Sequence, residues 1–379
     1  MANTFTAGTP WDPYFYANEA ISLLYKALGM ARSVYRAYDK DPAQKGSTIR
    51  IRKPQAIPTQ SMPISTETAL APSHVDVVVN EWHGTEFALV DDELTFSEDM
   101  IINDHIAPAA YAIADKIDQT LTALIEHFPW YVADTSAVAD IVDLRKILNA
   151  NKALKGDRFY AIDETVEAAY LKLAVFHQAS TATDGERAQR EGDLARKFGF
   201  DIFSNQNLPT HTKGALVPGT ALQLNAEVVA GAKAAVFKDS GGSLTGTVKI
   251  GDTFVIAGDT QRYVITADAT ASGNLITVAF EPGAATTYAA SAVVTPRQET
   301  KVLNFAAHRN AVALAMAPLS TLGQKLAGAN MATVNDPVTG LSLRSTLWYD
   351  EAAASVFVRL DALWGVKILD YNLGERLER

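Results

Sequence analysis

Between Thr95 and Pro129 the apolar residues Ile102, Ile106, Ala110, Ile113, Ile117, Leu121, Leu124 and Phe128 recur at steps of three and four, the stripe of one helix face. Taken as one helix the stretch makes about nine turns and spans roughly 50 Å. Thr95 and Glu98 stand at capping-box spacing, with Ser97 as a second N-cap candidate. Glu98 and Asp99 suit the positive end of the helix dipole, and Pro129 stops the run. Pro108 predicts a kink. A rod this long needs a long partner surface.

A second stripe, Ala17, Ile21, Leu24, Leu28, Ala31 and Tyr35, follows Asp12 and Pro13 at N-cap and N1. Gly29 weakens this helix, and Asp41, Pro42 and Gly46 end the segment, which predicts an arm packed on something else. From Thr48 the period falls to two, with Ile49 and Ile51 on one side of a strand and Arg50 and Arg52 on the other. Pro54, Pro58, Pro63 and Pro72 interrupt regular structure. Alternation resumes at Val75, Val77 and Val79 and again from Phe87 to Val90. The pattern predicts a two-stranded ribbon with a proline-rich tip. An isolated hairpin buries too little to be stable, so the ribbon is expected to lie on a neighbour.

Helical stripes over 138–150 and 163–179 flank a short buried strand, Phe159 to Ile162, and a further strand runs Phe198 to Phe203. This alternation predicts a mixed α/β domain. Near Gly214 the texture changes: to Pro296 the chain is rich in Gly, Thr, Ala and Val. Short strands at Thr247–Ile250, Thr253–Ile256, Arg262–Thr266 and Leu275–Phe280 are separated by Gly-Asp and Gly-Asn turns, as in a small β-barrel or sandwich inserted into that domain. After a return to α/β texture over 302–326, the end reads as a meander of Leu341–Tyr349, Ser355–Leu360 and Gly365–Leu369. Its apolar face needs a cover, which the long helix would supply. The α/β domain is then an excursion from a helix-and-sheet unit.

At 379 residues with 48% hydrophobic content the chain can bury two or three cores. The net charge of -10 argues against a dedicated nucleic-acid binder and suits a surface that lies near DNA without adhering to it. The absence of cysteine excludes disulfides and thiolate chemistry. No basic-then-apolar leader and no apolar run of membrane length is present, which predicts a cytoplasmic chain.

The seven histidines never fall at i, i+4, so no metal site is expected. Gly241 and Gly246 have P-loop spacing, yet Thr247 and Val248 stand where Lys and Ser or Thr are required. Asp104 and His105 are adjacent on a helix and point apart; His308-Arg309-Asn310 lacks a catalytic aspartate. No catalytic, cofactor-binding or metal residue is assigned, and no cofactor is expected. Charge placement is more informative. Arg50, Arg52 and Lys53 lie on the ribbon, while Asp91, Asp92, Glu93, Glu98 and Asp99 cluster at the start of the long helix. These eight are the candidate inter-subunit contacts: the ribbon of one copy over the helix of the next, with opposite charges fixing register. Exposed pairs of this kind set specificity rather than supply the main energy.

The order of elements resembles the major capsid proteins of tailed double-stranded DNA phages, the Hong Kong ninety-seven fold. The residues that carry the resemblance are Thr95 to Phe128, Phe198 to Pro209 with Asn304 to Pro318, Leu341-Ser342-Leu343-Arg344, Val358-Arg359-Leu360-Asp361 and Trp364-Gly365-Val366. The module at 215–296, with Gly251-Asp252-Thr253-Phe254, is similar to the insertion domain of the P-twenty-two-like coat proteins. The resemblance implies an α+β fold. Its parts would be an N-arm (1–47), an E-loop (48–93), a P-domain of spine helix and meander (94–130 and 341–379), an A-domain (131–214 and 297–340) and an inserted β-barrel (215–296). It also implies assembly with itself as pentamers and hexamers, separate scaffolding and portal proteins, and packaged DNA bound without sequence specificity. No Lys-Asn crosslinking signature is placed. The alternatives are an encapsulin-type compartment shell, and a soluble enzyme or carbohydrate-binding protein with a β-sandwich module. Two observations would count against a wall tile: a long helix that does not lie against the closing strands, or a 48–90 ribbon folded back into its own subunit's core.

Overall fold

The computed structural model describes residues 13–36, 45–53, 62, 73–90, 102–177, 194, 196–320, 330–335, 341–350 and 355–379. The chain divides into two compact units, one from 1–118 with 312–369 and the other from 119–311 with 370–379.

The first unit is organised on the long strand Ser355–Ile368. Glu81–Val90 pairs antiparallel along one side of it. Ser342–Asp350 and Val312–Ala317 pair antiparallel with it as well, and Asn330–Asn335 adds beyond Ser342–Asp350. Side chains alternate between the two faces of such a strand. Val358, Leu360, Ala362 and Trp364 form one buried face. The N-terminal helix Pro13–Ala27 packs on the neighbouring strands Asn330–Asn335 and Ser342–Asp350, where the Ser345 hydroxyl donates to the Pro13 carbonyl at 2.7 Å. Its predicted stripe Ala17, Ile21, Leu24, Leu28 and Ala31 is buried. The arm therefore covers its own sheet.

The long helical run is described from Ile102 to His127, as a wide π-type turn (Ile102–Ile106), an α-helix (Ala107–Thr122) and a tight last turn (Ala123–His127). Its predicted start, with Thr95, Ser97, Glu98 and Asp99, lies outside the described residues. Pro108 has no N–H to give the carbonyl four positions back, and the wide turn just before it takes up that defect. The stripe residues Ile106, Ala110, Ile113, Ile117 and Leu121 are buried. His105 stacks on Phe87 of Glu81–Val90 with ring centres 5.6 Å apart, a strand that the sequence pattern places in the ribbon and not in the closing meander. The cover expected of the long helix over Asn330–Asn335 and Ser342–Asp350 comes instead from the N-terminal helix. Asp118 accepts a hydrogen bond from the Met30 N–H at 2.8 Å, tying the run to the turn after the N-terminal helix.

Three further expectations are corrected in this unit. Thr48–Lys53 and Ser73–Val78 do form an antiparallel ribbon, but Glu81–Val90 leaves it to join the sheet. The ribbon's apolar face is covered by its own chain: Ile49, Ile51, Val77 and Val79 pack against Ala313, Ala315, Ala317 and Leu363. Burying four aliphatic side chains at home outweighs leaving them in water. Finally, Gly365 does not begin a third meander strand, since Ser355–Ile368 runs through it unbroken. A side chain at Gly365 would collide with the Val78 carbonyl, so the glycine marks where the ribbon backbone crosses the sheet.

The second unit holds a mixed sheet in the order Trp130–Ala133, Gly374–Glu378, Lys301–His308, Arg158–Ile162, Phe200–Ser204 and Arg196–Lys197. Gly374–Glu378 runs parallel to Trp130–Ala133, and Arg158–Ile162 parallel to Phe200–Ser204. The helix Val138–Ala150 buries Ile141, Leu144 and Leu148 against Tyr160, Ile162 and Leu377. Its start is held by Asp140, which accepts from the Thr135 and Ala137 N–H groups at 3.0 and 3.1 Å. The grouping differs from the one read in the sequence. Residues 312–317 and 330–335 pair into the first unit's sheet, and 374–378 pair into the second unit's sheet rather than closing the meander. Main-chain pairing over such separations leaves no local trace in composition.

Within the second unit, residues 216–294 have a hydrophobic core of their own, centred on Phe237, Phe254, Tyr263 and Phe280. Strands lie side by side in the order Leu222–Leu224, Ala234–Asp239, Leu275–Glu281, Tyr263–Ile265, Thr253–Ile256 and Val294–Arg297. A bridge from Gln223 to Val293 links the first and last of these.

Candidate inter-subunit surface

The ribbon sets Arg50 opposite Asp76 and Arg52 opposite His74. Because Ile49 and Ile51 take the inner face, Arg50 and Arg52 are exposed on the outer one, as the period-two pattern predicts. Arg50 Nε donates to Asp76 Oδ1 at 3.0 Å, and that hydrogen bond holds Asp76 below the usual carboxylate range. Arg50 thus has a partner inside its own ribbon, one the sequence reading missed. Arg52 has no ion-pair partner among the described residues. Lys53 ends the strand opposite Ser73. The acidic candidates Asp91, Asp92, Glu93, Glu98 and Asp99 all lie outside the described residues, so their pairing with the ribbon arginines stays an expectation.

Beyond the ribbon, the same face of the sheet carries a ladder of charged and aromatic side chains. Arg344 grips buried Asp361 with Nε–Oδ1 at 3.0 Å and Nη2–Oδ2 at 2.5 Å, and Trp82 Nε1 donates to Asp361 Oδ2 at 2.9 Å. Arg359 pairs with Glu86 at 2.7 Å and stands 5.0 Å from the centre of Trp348, whose ring stacks on Phe357 at 5.5 Å. Register explains the ladder: Arg344 faces Asp361, Trp348 faces Phe357 and Arg359 faces Glu86 across adjacent strands. None of these pairs is visible until the strands are aligned.

In the second unit a buried polar hub joins the β module to the mixed sheet. Arg376, fully buried, donates to the carbonyls of Glu126 and Gly251 at 3.3 and 3.1 Å, and its other terminal nitrogen lies 3.1 Å from Glu378 Oε1. Glu378 also pairs with Arg297. Arg297 and Arg262 stand 3.9 and 4.0 Å from the centre of the Tyr131 ring, a double cation–π contact. Asp252 gathers the inbound and outbound connections of the module: His211 Nε2 at 3.1 Å, the Gly214 N–H at 3.0 Å and Gln298 Nε2 at 3.0 Å. Gly251, at φ 92°, has the His211 ring where a Cβ would stand. Burial pushes the Glu126 carboxyl up, against the pull of His211 and Arg376, and lowers the Arg376 guanidinium.

Among the described residues no group of three or more His, Asp or Glu side chains could hold a metal ion, and no helix is long and apolar enough to cross a membrane. No protein-family model matches the chain. No curated protein sequence matches it. Among solved structures it is similar to that of Mycobacterium phage Che8, at 12% identity over 92% of this chain and 90% of that one, with a TM-score of 0.49. It is also similar to the capsid of cyanophage P-SCSP1u (12% identity, 91% and 86% covered, TM-score 0.47). A third likeness is to the virus-like particle from Pyrococcus furiosus (9% identity, 96% and 98% covered, TM-score 0.42).

Proposed function

We propose that this chain is a shell subunit: a phage major capsid protein that assembles with copies of itself into an icosahedral wall around packaged double-stranded DNA. One observation carries the reading. A single sheet is closed by strands from opposite ends of the chain, with Glu86 and Arg359 paired across 273 positions, and an arginine-faced ribbon leaves from it. Residues 119–311 are an excursion from that sheet, as the order of elements in a capsid subunit requires. The outward face of the ribbon, where Arg52 has no ion-pair partner among the described residues, offers positive charge to a chain of net charge -10.

The first unit corresponds in this reading to N-arm, E-loop base and P-domain, and the second to an A-domain with an inserted barrel. The barrel is supported by the Gln223–Val293 bridge between its outermost strands. The ribbon's apolar face is seated on its own chain, which counts against a ribbon lying on a neighbour, and this reading therefore leaves the outer face of the ribbon for contact between copies. Scaffolding and portal proteins are the further partners of such a wall. DNA would meet an acidic inner surface and be enclosed rather than gripped. An encapsulin-type compartment shares this architecture; an enzyme or carbohydrate-binding protein would need a built site.

Sedimentation and electron microscopy of the purified chain test the reading. Rings or megadalton shells are expected. A stable monomer at micromolar concentration would overturn it, and DNA or enzyme cargo inside the particles separates phage capsid from compartment.

A further inference from the structure

The strand Glu81–Val90 pairs with Ser355–Ile368 over ten consecutive positions without a bulge, and among the described residues nothing pairs with its other side. Every second residue of such a strand turns its N–H and C=O outward. Sheet edges that stay in water are blunted by proline, lysine, bulges or brevity. The sequence Glu-Trp-His-Gly-Thr-Glu-Phe-Ala-Leu-Val has none of these. Trp82, Gly84, Glu86 and Ala88 are exposed along it. Glu86 is paired with Arg359 at 2.7 Å, and Glu81 lies 3.0 Å from His83, a charge pair only when the imidazole is protonated. Among the described residues the edge is open, and the charge on its Glu86 side chain is matched.

We propose that this edge is a two-fold contact: the same strand of a second copy pairs with it antiparallel, so that the two sheets continue as one. The geometry rests on the shell reading. A wall with an inside and an outside needs both copies to present their helical layers on the same side. A two-fold axis along the sheet normal does this, and it sets residues of like parity opposite each other. For the longest overlap the axis passes through Thr85 or Glu86. At Glu86 two carboxylates would face each other, which is unfavourable. At Thr85 the partners are Glu86 with Gly84, Trp82 with Ala88, His83 with Phe87 and Glu81 with Leu89, and no like charges meet. Charge selects the Thr85 axis, and the bare Gly84 leaves room beside the Glu86 side chain of the other copy.

The chain has no cysteine, so one introduced thiol reports only on contact between copies. Residues opposite one another in an antiparallel pair have Cα atoms about 4.5 to 5.5 Å apart, within disulfide reach. Mild oxidation of T85C is expected to convert most of the chain to disulfide-linked dimers. In the unaltered chain, amide exchange over 81–90 is expected to be at least ~10-fold slower when associated than when dissociated. The circular dichroism spectrum decides whether T85C is folded; if it is not, the exchange measurement alone decides. Particles that form without the cross-link, or with unslowed exchange, overturn the edge contact and leave the shell reading standing. Linked dimers from a chain that never builds particles support the edge contact and overturn the shell.

Discussion

Arg376 donates a hydrogen bond to the carbonyl oxygen of Gly251 at 3.1 Å, joining the C-terminal strand to a turn of the inserted module 125 positions earlier. The same guanidinium serves Glu126 and Glu378. Replacing it by leucine would leave the Glu378 carboxylate and two carbonyls without this donor. Removing one partner of a buried pair costs about 3–5 kcal/mol. R376L should therefore lower the unfolding free energy by that amount in urea titration, and a midpoint equal to the parent's would show that the hub does not brace the fold.

The hub also predicts the outcome of excising the module. Removing 216–296 takes away the Gly251 carbonyl, Asp252 and Arg262 together, so Tyr131, His211 and Arg376 lose partners at once. The remaining chain should be less soluble and melt at lower temperature. Unchanged folding and unchanged particle size would remove the bracing role.

Gly365 gives a sharper test of the ribbon's seat. An added methyl would meet the Val78 carbonyl and the Val79 Cα. G365A should cost about 1–3 kcal/mol, as overpacking does. The loss should be local, read as faster amide exchange over 73–79. If exchange there is unaffected, the ribbon does not rest where the structure puts it.

Glu375 predicts a pH dependence. Its carboxyl is buried, neither oxygen has a hydrogen-bond partner among the described residues, and burial pushes it well above the usual range against the pull of Arg158 and Arg262. The folded chain therefore holds this proton more tightly than the unfolded chain does. Stability from this group is full below the ordinary glutamate value of about 4.3 and is lost as pH rises towards the folded value. E375Q keeps the neutral shape and removes the titration. The difference in melting temperature between E375Q and the parent should grow in favour of the variant from pH 5 to pH 8; a constant difference would refute the assignment.

Arg50 and Arg52 separate folding from assembly. R50E would set two acids opposite each other inside the ribbon, because Asp76 is its partner. R52E faces His74 and leaves the ribbon intact. R52E should keep the parent's melting curve while cutting the yield of particles in sedimentation. Normal particle yield would remove Arg52 from the contact.

Much of the fold is legible in local pattern. The two helical stripes, the Ile49-Arg50-Ile51-Arg52 alternation and the Gly-Asp punctuated module all declare themselves, because helix and strand periods act within a few residues. The polar hub is not legible: Arg376, Glu378 and Tyr131 look like ordinary surface residues, and only burial at the junction makes them partners. The unbroken strand through Gly365 misled the reading for a related reason. A glycine in a strand signals either a turn or a close backbone approach, and the approaching backbone is remote in sequence.

The sequence by itself determined which faces are apolar and which carry charge. Ile49 and Ile51 had to be buried, and Arg50 and Arg52 had to face away from them. Only the tertiary structure decided what covers each face. The hydrophobic effect rewards area removed from water whichever chain supplies the cover. Here Ala313, Ala315, Ala317 and Leu363 of the same chain supply it for the ribbon, and the N-terminal helix supplies it for the closing sheet.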